Sequence, residues 1–561
     1  MTSARAGLIA AVLVVGRAAG AQEPNAFAFE VKLAIGSIAS SDRVVRTGER
    51  TALERLYGPA RVAPLWSRDG APTRQALASI SMLAASDAQG LVPTDYNSDS
   101  LATLARSLAS PATVARFDVE VSRAVIRLVA DLHEGRADPR SVRFDLKGIH
   151  EPVDLATLAS DLAGADDVRA TLAVAEPPYA AYGRLKAALA RYRRFAADTT
   201  LRLPARPPRV LRPGNDYPDA LALRRLLLAL GDLDATAVAP DTRPNDSRGV
   251  YDSTLARAVE RFQRRHGLDP DGVVGRETMT ELRTPLARRV RQIELTLERW
   301  RWLPDRPPTR FVVVNIPAFR LHAFENDSTA DRPVLSMNVI VGDARGGHMT
   351  PVFVGTIHEI VFRPYWDVPP RIARNELIPI FRRRPAYYAK EGFEIVRVGD
   401  AGDRARIYPP TATSFARVLA GQLRLRQRPG PLNALGAVKF VFPNPYHVFL
   451  HDTPAPELFA RTRRDFSHGC IRIEQPRALA EFALRGMNAW DTAAIDSAMR
   501  GSQTRHVPVE HPMVVFVLYA TATVTADGTV QFHPDLYGHD SALERALALP
   551  PIGGRNGYGD P

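Results

Sequence analysis

The chain has 561 residues, too many for one ordinary domain, so the sequence predicts several folded units. Hydrophobic residues make up 45% and charged residues 24% of it, which excludes a mainly disordered chain. The formal net charge of +12 favours an anionic partner but does not choose among nucleic acid, anionic lipid and an anionic polymer, and scattered surface charge is the alternative.

The first 21 residues are typical of a secretory signal peptide. Arg5 supplies positive charge, residues 6–15 are apolar, and residues 19–21 fit a small-residue cleavage site before Gln22. The apolar stretch is too short to cross a bilayer, and the chain contains no run of about 18 apolar residues. We therefore expect export and no transmembrane segment after cleavage. An ordinary buried N-terminal helix is the alternative.

Residues 22–203 carry a helical pattern that is rich in alanine, leucine and arginine. Apolar residues recur at helical spacing, for example at Val121, Ala124 and Leu128. Nothing in this segment concentrates the residue types that carry chemistry. We interpret it as a helical scaffold domain.

The pattern of residues 204–284 predicts a small three-helix bundle. A proline-rich linker opens it, a leucine stripe forms its first helix, and Gly231 ends that helix as a C-cap residue. The stretch GVYDSTLARAVERFQRRHGLDPDGVVGRETMTEL resembles the peptidoglycan-binding domain family, with the likeness running from about residue 210 to residue 282. The resemblance implies binding to peptidoglycan, and a role as an interdomain prop is the alternative.

Residues 285–308 read as an amphipathic connecting helix, after which the pattern changes to β-branched and aromatic runs. We assign residues 309–500 to a mainly β domain, with a hairpin turn at Asn326, and residues 501–561 to a C-terminal segment. Between residues 371 and 428 the pattern becomes charged, irregular and partly helical, which indicates an insertion that covers the sheet as a lid. The predicted fold class is therefore multi-domain α+β.

Cys470 is the single cysteine of the chain, so no intramolecular disulfide can form. In the oxidising compartment to which export leads, an unpaired thiol is a liability unless the protein uses it, which makes Cys470 a candidate nucleophile. It lies in the segment FSHGCIR, where Gly469 permits a tight turn that could direct backbone N–H groups at an oxyanion. Arg472 adds positive charge that favours the thiolate and could hold a substrate carboxylate.

Two histidines compete to be the general base that deprotonates this thiol. His451 ends an apolar strand 19 residues before Cys470 and could reach the sulfur from a neighbouring strand. His468 precedes Cys470 by two positions, and the two side chains share a face if the segment is extended. We favour His451 as the base and His468 as a hydrogen-bonding or oxyanion-shaping group.

Two other interpretations of this segment are weaker. A cysteine in a strand is often only a small buried apolar residue. A zinc site made from His447 or His451, His468 and Cys470 is conceivable, but it lacks a second thiol and a close pair of ligands. We expect neither a metal nor another cofactor.

The segment HDTPAPELFARTRRDFSHGCIRIE resembles the active-site segment of the L,D-transpeptidase (YkuD-type) family. Stretches such as VNIPAFRLHAF, PYWDVPPRIARNEL and RPGPLNALGAVKFVFPN are similar to the large, multi-domain branch of that family. The resemblance implies that Cys470 attacks a peptidoglycan stem tetrapeptide, that D-Ala leaves and that a thioester forms, with His451 as the base. It also implies that His468 and the N–H groups of Gly469 and Cys470 stabilise the tetrahedral intermediate.

The same resemblance implies the substrate contacts and the partner. Arg472 would place a substrate carboxylate, and Tyr365 and Trp366 would line the cleft. The partner would be peptidoglycan, as donor and acceptor stems, and not nucleic acid. The product would be a 3-3 cross-link, and the protein would work in the periplasm, associated with the cell wall. The alternatives are an L,D-carboxypeptidase, a hydrolase that releases a lipoprotein from the wall, and a catalytically idle wall-binding scaffold.

Overall fold

A computed structural model describes residues 26–37, 47–58, 63–146, 153–234, 249–325, 332–400 and 402–548. The predicted signal peptide and the predicted hairpin turn at Asn326 lie outside the described residues. No described helix is both long and apolar enough to cross a membrane. The chain forms two compact units, which are taken in turn.

The first unit is helical and comprises the described residues up to 87 together with residues 92–130 and 153–175. The buried carboxylate of Asp118 accepts hydrogen bonds from the backbone N–H of Trp66 (2.7 Å) and from the Tyr57 hydroxyl (2.6 Å). This satisfied buried acid ties the segment before the first hairpin to a long helix. The elements are α1 (Ala26–Ser37), α2 (Thr47–Leu56), β1 (Ser67–Arg68), β2 (Ala71–Pro72), α3 (Arg74–Ala84), α4 (Ser98–Leu104), most of α5 (Pro111–His133), α6 (Leu155–Gly164) and α7 (Val168–Ala173).

The second unit contains residues 88–91, 131–146 and the described residues from 176 onward, so it includes the last helix of the predicted scaffold. The elements of its helical part are α8 (Ala180–Ala197), β4 (Asn215–Asp216), α9 (Ala220–Leu230), β5 (Val250–Tyr251), α10 (Ser253–Arg265), α11 (Arg276–Leu282), α12 (Leu286–Trp300), β19 (Ala522–Val524), β20 (Val530–Phe532) and α19 (His539–Ala546). This part includes two short strand pairs, β4 with β5 and β19 with β20.

Helix α12 is buried on both faces, although its apolar stripe predicts burial of one face only. Buried arginines on its polar face have carboxylate partners: Arg299 Nη1 lies 2.6 Å from Asp540 Oδ1, and Arg301 Nη1, just after the helix, lies 2.9 Å from Glu298 Oε2. A charge can be buried when such a partner compensates it. The connecting helix is therefore part of the interior.

The small bundle is joined to the rest of this unit through the end of α10. Its first helix stops at Gly231, whose φ of 83° confirms the predicted C-cap. Buried Arg265 pairs with Asp232 (2.6 Å), and the His266 ring stacks on the Phe532 ring with 5.8 Å between centroids. This packing agrees with the alternative interpretation of the small bundle as an interdomain prop. Its binding to peptidoglycan stays a prediction.

A large sheet forms the mainly β part of the second unit, as predicted. The strand order is β14-β15-β17-β8-β7-β6-β18-β9-β3, a further pairing of β14 with β9 closes the sheet on itself, and β16 pairs with β8. The strands are β3 (Phe144–Asp145), β6 (Arg310–Asn315), β7 (Arg320–Glu325), β8 (Leu335–Gly342), β9 (Val352–Phe362), β14 (Val438–Val441), β15 (Leu450–His451), β16 (Asp465–Ser467), β17 (Ile471–Ile473) and β18 (Arg505–Leu518). Helices α17 (Pro476–Ala483) and α18 (Thr492–Arg500) follow β17.

Strand β18 lies between β6 and β9 in this sheet. It runs parallel to β6, with Val515 opposite Val312, and antiparallel to β9, with Val515 opposite Gly355. The boundary predicted at residue 500 therefore cuts through the sheet rather than following its edge. Short strand β3, from residues 144–145, also joins it. The other predicted domain boundaries stay predictions.

The segment from residue 366 to residue 428 folds as an inserted subdomain with its own small sheet and core. Its strand order is β10-β13-β11-β12, so this segment is more regular than its sequence pattern indicates. Aromatic contacts such as that of Phe381 with Phe393 (5.0 Å between centroids) fill its core. The elements are β10 (Trp366–Asp367), α13 (Pro370–Ile372), a π-helical turn (Ala373–Leu377), α14 (Ile378–Arg383), α15 (Pro385–Lys390), β11 (Phe393–Arg397), β12 (Ile407–Tyr408), α16 (Ala412–Leu419) and β13 (Leu423–Gln427).

Candidate active site

Three neighbouring strands each place one basic residue in a single row across the sheet. Lys439 of β14 lies opposite His451 of β15, and His451 lies opposite Arg472 of β17. The adjacent pair Leu450 and Ile471 is buried in the hydrophobic core. Because successive side chains alternate between the faces of a sheet, the basic row lies on the face opposite that core.

His451 is buried, and a hydrogen bond fixes its ring. Its Nδ1 lies 2.6 Å from the backbone oxygen of Asp452. A carbonyl oxygen only accepts, so Nδ1 carries the proton and Nε2 keeps a free lone pair. The Asp452 carboxylate is itself held by the N–H groups of Ala437 (2.7 Å) and Thr453 (2.7 Å). A side chain at Gly436 would overlap this carboxylate, so glycine is required there.

Burial and neighbouring charge keep His451 neutral. Burial, together with the positive charges of Arg472 and Lys439, lowers the pKa of His451 to about 3, against the raising effect of the Asp452 hydrogen bond. A neutral imidazole with a free Nε2 is the form that can accept a proton. The favoured base is therefore available well below neutral pH.

The Cys470 thiol lies immediately before β17 and is half-buried. It donates a hydrogen bond to the backbone oxygen of His447 (3.7 Å). Burial raises the pKa of Cys470, while the backbone N–H of Phe449 and the charges of Lys439 and Arg472 oppose that rise. The site at rest therefore holds a thiol and, on the adjacent strand, a neutral imidazole, and a proton must move when the sulfur attacks.

The turn that presents the His447 oxygen is built around Asn444. Its Nδ2 donates to the backbone oxygens of Phe442 (2.7 Å) and Val448 (2.8 Å), and its Oδ1 accepts from the Val448 N–H (3.1 Å). His447 has a φ of 55°, a left-handed conformation that is uncommon outside glycine. The asparagine thus stabilises a strained turn beside the nucleophile, between the two strands predicted around Pro443.

The loop from Ser467 to Cys470 is bent rather than extended. Ser467 Oγ accepts from the Gly469 N–H (3.1 Å) and donates to the Cys470 oxygen (2.5 Å). Gly469 has a φ of 114°, which side chains other than glycine rarely tolerate. The prediction that His468 and Cys470 share a face of an extended segment is therefore wrong.

Thr350 anchors this loop from the turn between β8 and β9. Its hydroxyl donates to the Gly469 oxygen (2.8 Å) and accepts from the Gly342 N–H (2.9 Å). Tyr537, in the C-terminal segment, donates to the Gly342 oxygen (2.7 Å) and accepts from the Thr350 N–H (3.3 Å). A side chain at Gly342 would overlap the His348 backbone oxygen, so these segments approach as closely as only glycine permits.

His468 faces the inserted subdomain. Its Nε2 lies 2.9 Å from Glu376 Oε1, on the π-helical turn, and its ring centre lies 4.5 Å from that of His348. Burial lowers the pKa of His348, and the neighbouring His468 lowers it further. The subdomain thus touches the loop that carries Cys470 through one charged side chain.

Comparison with known proteins identifies this part of the chain. A family model described as "L,D-transpeptidase catalytic domain" (YkuD) matches residues 309–495, which include the whole basic row and Cys470. This part of the chain is similar to L,D-transpeptidase catalytic domains. The resemblance seen in the sequence is confirmed, and so is the multi-domain α+β fold class.

Two further models and one relative match the chain around and across the L,D-transpeptidase domain. A "Scaffold domain" matches residues 51–189, and a "Putative peptidoglycan binding domain" matches residues 216–282. A curated protein of Haemophilus influenzae named "Putative L,D-transpeptidase" is 28% identical over 256 residues, which is 46% of this chain and 49% of that protein. The chain therefore matches about half the length of this relative.

The L,D-transpeptidase domain brings most of the predicted site residues together. Cys470, Gly469 and Arg472 lie on one loop and strand, and His451 lies on the adjacent strand. His468 belongs to the same loop but points to Glu376. Their catalytic roles stay predictions.

Four residues of the site were missed by the sequence analysis. Lys439 reads as an ordinary outward-facing strand residue, and Thr350, Asn444 and Glu376 lie in loops or in the insertion. Only Asn444 carried a usable signal, because an asparagine between two prolines is typical of a hydrogen-bonded turn. The other three act through contacts between distant segments.

Tyr365 and Trp366 lie at the base of the inserted subdomain. The Arg426 guanidinium stacks over the Tyr365 ring (4.0 Å), and the Trp366 ring packs near Phe393 (6.2 Å between centroids). These contacts assign the two aromatics to the packing of the subdomain. Their predicted role in lining the cleft stays a prediction.

Two of the candidate zinc ligands have other side-chain partners. His451 Nδ1 lies 2.6 Å from the Asp452 backbone oxygen, and His468 Nε2 pairs with Glu376. Within the described ranges, no group of three or more His, Cys, Asp or Glu side chains is placed to hold a metal ion.

Proposed function

We propose that this protein is a cysteine-dependent peptidoglycan L,D-transpeptidase that forms 3-3 cross-links in the periplasm. The observation that carries the proposal is the fixed, neutral imidazole of His451 on the strand beside Cys470, inside the matched catalytic domain. The matched peptidoglycan-binding and scaffold domains support the wall polymer as the substrate. The predicted signal peptide supports export.

In the acylation step, Cys470 Sγ attacks the carbonyl carbon of the third residue in a stem tetrapeptide. His451 Nε2 takes the thiol proton as the S–C bond forms and the carbonyl oxygen becomes an oxyanion. The C–N bond to the terminal D-Ala then breaks, and His451 returns the proton to the departing amine. D-Ala leaves, and the tripeptide remains on Cys470 as a thioester.

In the transfer step, a side-chain amine on the third residue of a second stem attacks the thioester. His451 takes a proton from this amine as the new amide bond forms, and the sulfur leaves and recovers its proton. The product joins two third residues, typically two diaminopimelates. No cofactor takes part in this scheme.

The backbone N–H of Cys470 is the best-placed donor to the oxyanion. The carbonyl and N–H groups of a trans peptide point in opposite directions, so fixing the Gly469 oxygen on Thr350 also fixes the Cys470 N–H. The Gly469 N–H already donates to Ser467. Its predicted oxyanion role, like that of His468, requires these bonds to be exchanged when substrate binds.

Substrate carboxylates fit the positive charge of this site. Arg472 presents a guanidinium that is half-buried, with Nε lacking a partner among the described residues. Tyr365 and Trp366 would contact the stem at the base of the inserted subdomain. That subdomain contains the predicted lid, residues 371–428. The lid would screen the thioester from water, and so would favour attack by the amine acceptor over hydrolysis.

The test is to incubate the purified protein with disaccharide-tetrapeptides and to identify the products by mass. We expect cross-linked dimers and free D-Ala, and no turnover by Cys470→Ser, because a hydroxyl ionises far less readily than a thiol. Tripeptide without dimers would show a carboxypeptidase instead. No conversion by a folded wild type would show an idle scaffold.

A carbapenem supplies an independent test of the nucleophile. Its strained ring presents an acylatable carbonyl, so we expect one covalent adduct at Cys470 in the intact-protein mass. An adduct that persists in Cys470→Ala would contradict the assignment.

The contact between Glu376 and His468 allows the lid to be tested with a single substitution. Glu376→Gln removes the charge that joins the subdomain to the nucleophile loop. We expect acylation to continue while more thioester is lost to water, which raises the ratio of tripeptide to dimer. Glu391→Gln, also in the subdomain, is the matched control. An unchanged ratio in Glu376→Gln would show that this contact does not close a lid.

A further inference from the structure

Two cations flank the proposed base on the same face of the sheet. The strand register puts Lys439 on one side of His451 and Arg472 on the other, each as a direct cross-strand neighbour. Side chains opposite each other on adjacent strands are close enough to interact. Any negative charge that develops at this point therefore has a positive group on two sides.

The ammonium group of Lys439 is held near the nucleophile. Its Nζ lies 3.6 Å from the centre of the Phe449 ring, a cation–π contact. Phe449 is also the residue whose backbone N–H faces the Cys470 sulfur. One residue thus contacts the ammonium group through its ring and the sulfur through its backbone, and Lys439 and Cys470 act on each other electrostatically.

Neither cation is neutralised by a carboxylate. In the described part of the chain, no acidic side chain forms an ion pair with Lys439 or Arg472, and Asp367 and Glu359 act on Lys439 only at longer range. Burying a charge without a partner costs stability. Such an arrangement is consistent with a counter-charge that exists only during the reaction.

We infer that Lys439 is an electrostatic positioning residue of this domain: its ammonium group stabilises the Cys470 sulfur anion and the oxyanion of the tetrahedral intermediate. The inference rests on the proposed function for the identity of the intermediate, but its effect on the sulfur does not depend on any substrate. The charged and titratable groups that act on this arrangement are His451, Arg472, Asp367, Glu359, Asp452 and Cys470 itself.

The direct test measures the rate of Cys470 alkylation by iodoacetamide as a function of pH. Lys439→Met keeps the length of the side chain and removes the charge. We expect its alkylation midpoint to lie about one pH unit above that of the wild type, the usual scale for losing a neighbouring opposite charge. Lys439→Arg should keep the wild-type midpoint. Lys32→Met, which removes an exposed charge on α1, is the control.

The second readout is turnover of disaccharide-tetrapeptide. We expect Lys439→Met to lower kcat about tenfold with little change in KM, since the charge acts on the reacting atoms. An unchanged alkylation midpoint, or a loss that appears only in KM, would overturn the inference. Lys439→Gln replaces the Met variant if that variant does not fold.

These readouts separate the two proposals. A shifted midpoint in a protein that does not convert tetrapeptide would contradict the proposed function and leave the role of Lys439 at the sulfur standing. Normal cross-linking with an unshifted alkylation midpoint would support the proposed function and contradict the role of Lys439.

Discussion

Two buried arginines in the helical part of the second unit differ from the two half-buried cations beside His451 in the large sheet. In the helical part, Arg265 and Arg299 each face a carboxylate at 2.6 Å. In the sheet, Lys439 and Arg472 have no such partner among the described residues. A paired charge can serve as a structural link at little net cost, whereas an unpaired one lowers stability. The difference indicates that the paired arginines stabilise the fold, whereas the unpaired Lys439 and Arg472 are available to bind an anion.

The largest effect should come from breaking a pair in the helical part. Asp232→Ala leaves Arg265 buried without its counter-charge, and we expect a loss of about 3–5 kcal/mol in the free energy of unfolding. Urea unfolding measures this. The double variant Asp232→Leu with Arg265→Met should recover most of the loss. If Asp232→Ala unfolds at the same urea concentration as the wild type, the pair is no structural link.

Removing the base should affect rate far more than stability. His451→Ala should lower the acylation rate at least ~10²-fold, the usual scale for a lost general base. His468→Ala should be milder, because this side chain faces Glu376. Carbapenem acylation followed by mass gives both rates. A larger loss in His468→Ala would show that the two roles are exchanged.

Acid should weaken the fold before it stops the chemistry. Burial lowers the pKa of His266 well below its ordinary value, that of His533 to about 4 and that of His451 to about 3. The unfolded chain binds protons at these positions below about pH 6.5, so stability is full above that pH and falls as the pH drops toward the folded values. His533 and His451 then each cost about 2 kcal/mol by pH 5, and His266 acts in the same direction.

This pH dependence can be measured by urea unfolding at pH 7.5 and pH 5, with initial rates recorded on the folded protein. We expect the rate per folded molecule to show no loss from titration of His451 in this range. His266→Phe keeps a flat ring between its aromatic neighbours and should make the stability less sensitive to pH, while exposed His511→Gln should not. Equal pH sensitivity in both variants would contradict the neutral state of His266.

The smallest effect should come from the anchor of the nucleophile loop. Thr350→Val keeps the shape of the side chain and removes the hydrogen bond to the Gly469 oxygen, so the Cys470 N–H is less firmly placed. A lost hydrogen bond of this kind costs about 1 kcal/mol, or about a fivefold lower kcat. Thr350→Ser should restore the rate. A fall in Thr350→Ser without a fall in Thr350→Val would mean that the methyl group, rather than the hydroxyl, matters.

Local patterns in the sequence were sufficient for several parts of this structure. The leucine stripe that ends at Gly231 and the position of His451 on the strand adjacent to the one after Cys470 follow from short spacings that the fold preserves. The bent loop at Gly469 and the position of Lys439 beside His451 do not, because a hydroxyl from residue 350 and strand register decide them. The place of β18 was missed for the same reason, since only pairing between distant strands reveals it.

The central position of β18 has a consequence for the order in which this protein can be completed. Its last residue, Leu518, is synthesised 48 residues after Cys470, and the edges of β6 and β9 stay unpaired until it arrives. A chain stopped at residue 500 would present both edges to other molecules, a known route to aggregation. During synthesis, the loop that carries Cys470 is therefore made before β18 can complete the sheet.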